Sequence, residues 1–309
     1  MLEFVMLSGL PGAGKSTYAN KYKDKYVVLS SDAIREELYG DENDQTDPSK
    51  VFNLMFKRTV EALNAGNSVL YDATNINRRL RVNTLQRLEK AVKETFSKII
   101  LVIYTNIDEV KRRNANRSRV VPEIVIDNML KSFEFPVYNE GWNVIKVEYS
   151  TEPHIPWSSA LAYFTKGVEH DTPFHKLNVY DHSNAVYNYY KEHYENDNYP
   201  KYLANVMFFH DIGKKFCKTF TNRKGEATEI AHFYNHANVG AYIMFDIKLA
   251  CTERAKYMMA MLINFHMRPL EAWRDSENAK LKDQNLLGEE SSKYLDILND
   301  CDIHAEDNV

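Results

Sequence analysis

The chain is short of the residues that would assign it to several common classes. Its three cysteines, Cys217, Cys251 and Cys301, are too few for a disulfide framework and show no CxxC spacing, a usage that suits a reducing cytosol. Nine prolines and eleven glycines in 309 residues exclude a collagen-like or low-complexity chain. No apolar run reaches the ~18 residues of a membrane helix. The opening LEFVMLSGLPG lacks the charged start and cleavage site of a secretory signal. A cytoplasmic protein without a membrane partner is therefore expected. The net charge of −4 argues against a blanket nucleic-acid-coating surface and leaves room for a local basic groove. The most informative shortage is histidine. None occurs before residue 150, and all ten follow it.

What is present sorts into two halves, and the length suits two domains of about 150 residues. Residues 1–150 hold 22 Lys and Arg against 20 Asp and Glu, whereas 151–309 hold 17 against 23. The first half alternates short runs rich in Val, Ile, Leu and Tyr (LEFVMLS, YVVLSSD, NSVLYDAT, KIILVIY, WNVIKVEY) with helical patterns near 15–24, 48–65, 78–95, 107–117 and 122–134. Such alternation predicts right-handed crossovers and a mostly parallel α/β sheet over 1–150. Residues 151–171, with two prolines near their start, read as a linker. Residues 172–309 show apolar spacings of three and four and read as an all-α domain. There is no internal repeat.

Gly9-Leu10-Pro11-Gly12-Ala13-Gly14-Lys15-Ser16-Thr17 follows a strand pattern and opens a helical one, the context required of a GxxxxGK[ST] phosphate loop. Glycines let backbone N–H groups converge on phosphate oxygens, and the helix N-terminus adds positive potential. Lys15 would reach the β/γ-phosphates of ATP or another NTP, and Ser16 would ligate Mg²⁺. Asp32 and Asp72 fall at the ends of the next two strand patterns, where a parallel sheet places its ligand crevice. A carboxylate there can act as general base, and Asp32 also suits a helix N-cap. Arg113 and Arg117, four apart, share one helix face. They fit either a solvated basic face or a lid that clamps the transferring phosphoryl group.

GLPGAGKST, SSDAIR, YDATN and RNANR with a proline shortly after resemble the kinase domain of phage-type polynucleotide 5′-kinases over roughly residues 1–135. The resemblance implies that Asp32 activates a polynucleotide 5′-OH and that Arg35 holds a phosphate of the acceptor strand. It also implies that Arg113 and Arg117 are lid arginines on the donor phosphates, with Asp72 and Asn75 near the acceptor. The segment between Arg117 and Pro122 is one residue shorter than that pattern. Small-molecule P-loop kinases share the loop and an early aspartate, so a nucleoside or metabolite acceptor stays open.

In the second half, His210-Asp211-Ile212-Gly213-Lys214 lies between His182 and the later His236, His266 and Asp302. Imidazole and carboxylate sets suit Mn, Fe, Co, Ni or Zn, and one carboxylate can bridge two ions. The order H…HD…H…H…D resembles the HD-domain phosphohydrolases, and its four-histidine form resembles their two-metal members. TPFHKLNVYDHS, FYNHANVG and NFHMRP are similar to the HD domain of bacterial CCA-adding enzymes over roughly 172–306. This implies one or two divalent ions held by His182, His210, Asp211, His236, His266 and Asp302, with Asp300 as a rival to Asp302. Lys214 would balance phosphate charge or be an exposed helix lysine. His175 is substrate-facing or structural, and His232 could share a helix face with His236. His154, His170, His193 and His304 are expected at the surface.

Together the resemblances imply a bifunctional RNA end-healing enzyme of phage or bacterial source. It would combine a 5′-OH polynucleotide kinase with a 2′,3′-cyclic phosphodiesterase and 3′(2′)-phosphatase acting on RNA ends, tRNA among them. With no KxDG motif, ligation would fall to a separate RNA ligase. A small-molecule or nucleoside kinase fused to a nucleotide phosphohydrolase is the alternative. A non-catalytic RNA sensor using ATP and metal only as ligands is a third reading.

Overall fold

The structure, a computed structural model, describes residues 1–117, 120–195 and 198–306. The chain divides into two compact units. Unit 1 is Met1–Met129 with Pro136–Glu152, and unit 2 is Leu130–Phe135 with Pro153–Val309.

Unit 1 runs β1 (Leu2–Ser8), α1 (Lys15–Lys21), β2 (Val27–Ser30), α2 (Ser31–Tyr39), α3 (Pro48–Asn64), β3 (Val69–Asp72), α4 (Arg78–Ala91), β4 (Phe96–Tyr104), α5 (Ile107–Ala115), α6 (Glu123–Lys131) and β5 (Val144–Tyr149). The five strands form one all-parallel sheet in the order β2-β3-β1-β4-β5. β1 is central, and Phe4, Val5, Met6 and Leu7 are buried. A strand covered on both faces must be apolar on both. The helices start where the sequence offers acceptors for their free N–H groups. Asp47 caps α3 with Pro48 in its first turn, Asn77 caps α4, and Asn106 caps α5. Asp32 is not the cap of α2. Ser30 fills that role, and Asp32 sits in the first turn.

Unit 2 is mainly helical: α7 (Trp157–Thr165), α8 (Val179–His193), α9 (Tyr202–Phe209), α10 (Lys214–Cys217), α11 (His236–Ile243), α12 (Glu253–Phe265), α13 (Glu277–Leu287) and α14 (Glu289–His304). α8 packs on α9 and α14, and α12 packs on α9 and α11. Val186, Leu203, Met207, Phe209, Met259, Ile263 and Leu295 are fully buried in its core. Three expectations are corrected. The unit is not all-α, because β6 (Ile155–Pro156) pairs with β9 (Ile247–Lys248), and β7 (Thr219–Thr221) forms a hairpin with β8 (Ala227–His232). Residues 151–171 do not form a plain linker, since β6 and α7 lie there and Ala160, Leu161 and Phe164 are buried. Residues 130–135, read with the first half, belong to unit 2, where Phe133 meets Tyr242 and Phe135 stacks on Phe245.

One glycine decides how unit 2 assembles. A Cβ on Gly213 would lie 2.0 Å from the carbonyl oxygen of His236 and 2.6 Å from the amide of Gly240. Only glycine allows this approach, which sets the turn after His210-Asp211 directly against α11. No described helix is long and apolar enough to cross a membrane.

Candidate functional site

In unit 1 the loop from Gly9 to Gly14 joins β1 to α1. Gly12 and Gly14 have φ of 82° and 97°, left-handed values that favour glycine. A Cβ on Gly12 would lie 2.8 Å from the carbonyl oxygen of Val110. The buried Ala13 gives its carbonyl to Thr105 Oγ1 at 2.7 Å, pinning the loop to the end of β4. Ser16 and Thr17 are exposed in the first turn of α1. The ammonium of Lys15 turns back onto the carbonyls of Gly9 and Leu10, at 3.0 and 2.8 Å. Withdrawal from water lowers its pKa to about 8, against the pull of Asp72 and Asp32, which raise it.

A cavity of about 1200 Å³ opens over this loop and is lined by Lys15, Asp32, Arg35, Asp72, Arg113 and Arg117 among others. Asp32 and Arg35 form an ion pair of 2.8 Å one helical turn apart. The Arg35 side chain is 8% exposed, and its Nε is buried without a hydrogen-bond partner. Arg113 donates to Glu109 at 2.7 Å and to Ser150 Oγ at 2.7 Å. One of its terminal nitrogens lies 3.5 Å from the Cβ position of Gly14, so it stands beside the loop. Residues 118–119 of the short segment after Arg117 lie outside the described residues.

Asp72 and Asn75, both expected near the acceptor, have different surroundings. Because β3 neighbours β1 in the sheet, Asp72 ends beside the loop, and its Oδ2 accepts from Ser16 Oγ at 3.2 Å. Burial raises its pKa, with Lys15 and the Ser16 hydrogen bond opposing. Asp72 therefore lies beside the phosphate loop, within the cavity lining. Asn75 is absent from the cavity lining. It adopts φ 47° and donates to the carbonyl of Leu7 at 2.6 Å, tying the end of β3 to β1.

In unit 2 six side chains converge. Asp211 directs Oδ2 toward His210 Nε2 at 3.3 Å and His182 Nε2 at 3.9 Å, and Oδ1 toward His236 and His266 Nε2 at 3.3 and 3.8 Å. Asp302 Oδ1 meets His182 Nε2 at 2.8 Å and His210 Nε2 at 3.5 Å. The ligating atoms of His182, His210 and Asp302, and those of Asp211, His236 and His266, each fall within 4.8 Å of one another. Asp300 lies outside the cluster, accepting from Tyr194 Oη at 2.6 Å.

The hydrogen-bond pattern fits a metal. His210, His236 and His266 each place Nδ1 at 2.8 Å from the backbone carbonyl three residues earlier. A carbonyl only accepts, so Nδ1 carries a proton and Nε2 is the nitrogen left to ligate. Yet Nε2 of His236 and Nε2 of His266 face each other at 3.0 Å. A cation could sit between or beside two lone pairs at that distance. His210 Nε2 is buried and faces Asp211 Oδ2 at 3.3 Å and Asp302 Oδ1 at 3.5 Å. Burial and the neighbouring His236 and His210 drop His266 to about 3. At His210 burial also lowers the pKa, but Asp211 and Asp302 outweigh it and raise the value to about 10.

Other histidines depart from expectation. His170 is buried, not on the surface, with Nδ1 on the carbonyl of Leu177 and Nε2 2.9 Å from Lys214 Nζ. Lys214 is buried, not an exposed helix lysine, and its Nζ lies 2.6 Å from Asp211 Oδ2. His232 closes β8 and stacks on Tyr234, so it shares no helix face with His236. His175 stacks on His170 with centroids 4.0 Å apart. His193 is exposed, while His154 and His304 are about half exposed. Sequence reasoning missed Glu306, which accepts from His182 Nδ1 at 2.7 Å. Its spacing of four from Asp302 was the available signal.

Residues 4–136 match the family model of the AAA domain. The chain is 27% identical over 174 residues to the L-seryl-tRNA(Sec) kinase of Methanococcus maripaludis, a match covering 51% of this chain and 62% of that protein. It is 28% identical over 153 residues to heterogeneous nuclear ribonucleoprotein U-like protein 2 of Mus musculus, covering 43% of this chain and 20% of that one. The chain thus spans less than two thirds of the length of either relative. Among solved structures, a chain of the Pnkp1/Rnl/Hen1 RNA repair complex aligns at TM-score 0.37 and 21% identity, covering 43% of this chain and 44% of that one. A gluconokinase from Sinorhizobium meliloti aligns at 0.33 and 17%, covering 49% and 84%. Those two overlaps are too slight to bear on function. The parallel sheet, the phosphate loop and the family match make the N-terminal region a P-loop kinase fold with a nucleotide site, and the remainder of the chain is largely helical.

Proposed function

We propose that the chain is a bifunctional RNA end-healing enzyme. Its N-terminal unit phosphorylates a polynucleotide 5′-OH from ATP, and its C-terminal unit is an HD-type phosphohydrolase that opens 2′,3′-cyclic phosphates and removes 3′(2′)-phosphates. One observation carries the reading. A phosphate loop faced by an Asp–Arg pair and a buried four-histidine, two-aspartate cluster occur on one chain. The two activities complement each other, since together they convert a broken end pair into the 3′-OH and 5′-phosphate that a separate RNA ligase joins.

In the kinase step the acceptor hydroxyl proton passes to the Asp32 carboxylate. The freed oxygen attacks the γ-phosphorus, the bond to the β–γ bridging oxygen breaks, and ADP leaves. Arg35 has an unsatisfied buried Nε and would receive a phosphate of the acceptor strand. Lys15, Arg113 and Arg117 offset the negative charge on the transferring group. Ser16 and Asp72 would hold Mg²⁺, which shields the β- and γ-phosphates when bound.

In unit 2, His182, His210 and Asp302 would hold one divalent ion (Mn, Ni, Co, Fe or Zn), and His236 and His266 a second, with Asp211 between them. When bound, such a pair supplies Lewis acidity for phosphate hydrolysis. Lys214 would balance phosphate charge, and His170 Nε2, 2.9 Å from its Nζ, fixes its direction.

The test incubates a short RNA bearing a 5′-OH and a 2′,3′-cyclic phosphate with ATP, Mg²⁺ and Mn²⁺ and reads both ends. A 5′-phosphate and a 3′-OH are expected, and an unchanged 3′ end would remove the phosphohydrolase half. The similarity to a seryl-tRNA kinase favours a second reading of the kinase half, in which the acceptor is an aminoacyl hydroxyl on tRNA. Phosphorylation of seryl-tRNA with none of the oligonucleotide would select it.

A further inference from the structure

The four cluster histidines do not hold their outer ring nitrogens in the same way. Those of His210, His236 and His266 rest on backbone carbonyls, available because His210 follows α9, His236 opens α11 and His266 follows α12. His182 is the fourth residue of α8 and fully buried. The carbonyls one turn before it are occupied. Asn178 accepts the His182 amide at 2.9 Å, and Val179 accepts Ser183 Oγ at 2.8 Å. Its Nδ1 meets a side-chain acceptor instead of a carbonyl, Glu306 Oε1 at 2.7 Å. Asp302 and Glu306, four apart, take opposite nitrogens of the same ring. Glu306 is itself held by the amide of Lys176 at 2.6 Å and by His175 Nδ1 at 3.1 Å.

Resting on the two-ion reading above, we propose that Glu306 is a positioning residue of the metal cluster. By accepting the Nδ1–H of His182 it keeps Nε2 as a lone pair aimed at the first ion, and it anchors that imidazole to the loop at His175–Lys176. A carboxylate behind a ligating histidine fixes its tautomer and raises its basicity, and losing such a partner typically costs about 10- to 100-fold in metal affinity.

Metal-stripped full-length protein titrated calorimetrically with Mn²⁺ tests this, with 5′ phosphorylation as the control for an intact chain. Wild type should take up two ions. In Glu306→Ala one of the two should bind about 10- to 100-fold more weakly, while Glu306→Gln, whose amide oxygen still accepts Nδ1–H, should recover most of that affinity. If Glu306→Ala does not fold, Glu306→Met, of similar length and without an acceptor oxygen, carries the same expectation against Glu306→Gln. Two ions bound with wild-type affinity in Glu306→Ala or Glu306→Met, or a loss in Glu306→Gln equal to that in Glu306→Ala, would overturn the inference alone. A wild-type protein that binds no Mn²⁺ would overturn the two-ion reading and the inference with it.

Discussion

At the scale of single residues, the phosphate loop and the histidine cluster have opposite proton economies. Lys15 titrates near 8, below its ordinary value of 10.5, because its ammonium is withdrawn from water. A phosphate in the loop favours the charged form, so nucleotide binding between pH 8 and 10.5 should take up a proton. Calorimetry in buffers of different ionisation enthalpy would show it, with little uptake at pH 7. His210 is displaced the other way, to about 10, because the Asp211 and Asp302 carboxylates outweigh the effect of burial. A raised folded value stabilises fully below the unfolded value near 6.5 and fades as pH rises toward 10. Metal-free His210→Asn should therefore lose most stability at pH 6 and least at pH 10, read as urea midpoints. At pH 7 an entering ion must also displace that proton, so Mn²⁺ affinity should climb with pH.

At the scale of elements, much of the framework was legible because periodicity reports burial. The five apolar runs became the parallel strands, and the GxxxxGKS loop lies between β1 and α1. Contacts set by tertiary geometry were not legible. Asn75 is a hydrogen-bonding residue at a strand end, and only its left-handed φ shows that it braces the backbone. Asp72 reads as acceptor-facing until the strand order places it beside Ser16. His170 is distant in sequence from Lys214, and nothing local signals that they touch. The glycine of HDIGK has a purpose visible only in the packing. Gly213→Ala would drive a methyl into the His236 carbonyl and the Gly240 amide. Backbone cannot yield as a side chain does, so a cost of about 1–3 kcal/mol or more is expected. Thermal unfolding and 3′-end hydrolysis should both suffer, while 5′ phosphorylation persists.

At the scale of the whole molecule, the two proposed chemistries share no side chain. Lys15→Ala or Asp32→Ala should abolish 5′ phosphorylation and leave 3′ hydrolysis nearly intact, and Asp211→Ala should do the reverse. Loss of both activities in a folded single variant would contradict two independent sites. The chain division has a further consequence for synthesis. Phe133 and Phe135 belong to unit 2, but their aromatic partners Tyr242 and Phe245 come roughly 110 residues later. At about 5–20 residues per second, the ribosome leaves these two aromatic rings waiting for about 5–20 s. For that interval a chaperone that grips short aromatic stretches has a target in the nascent chain, and it loses that target once α11 and the turn after it have emerged.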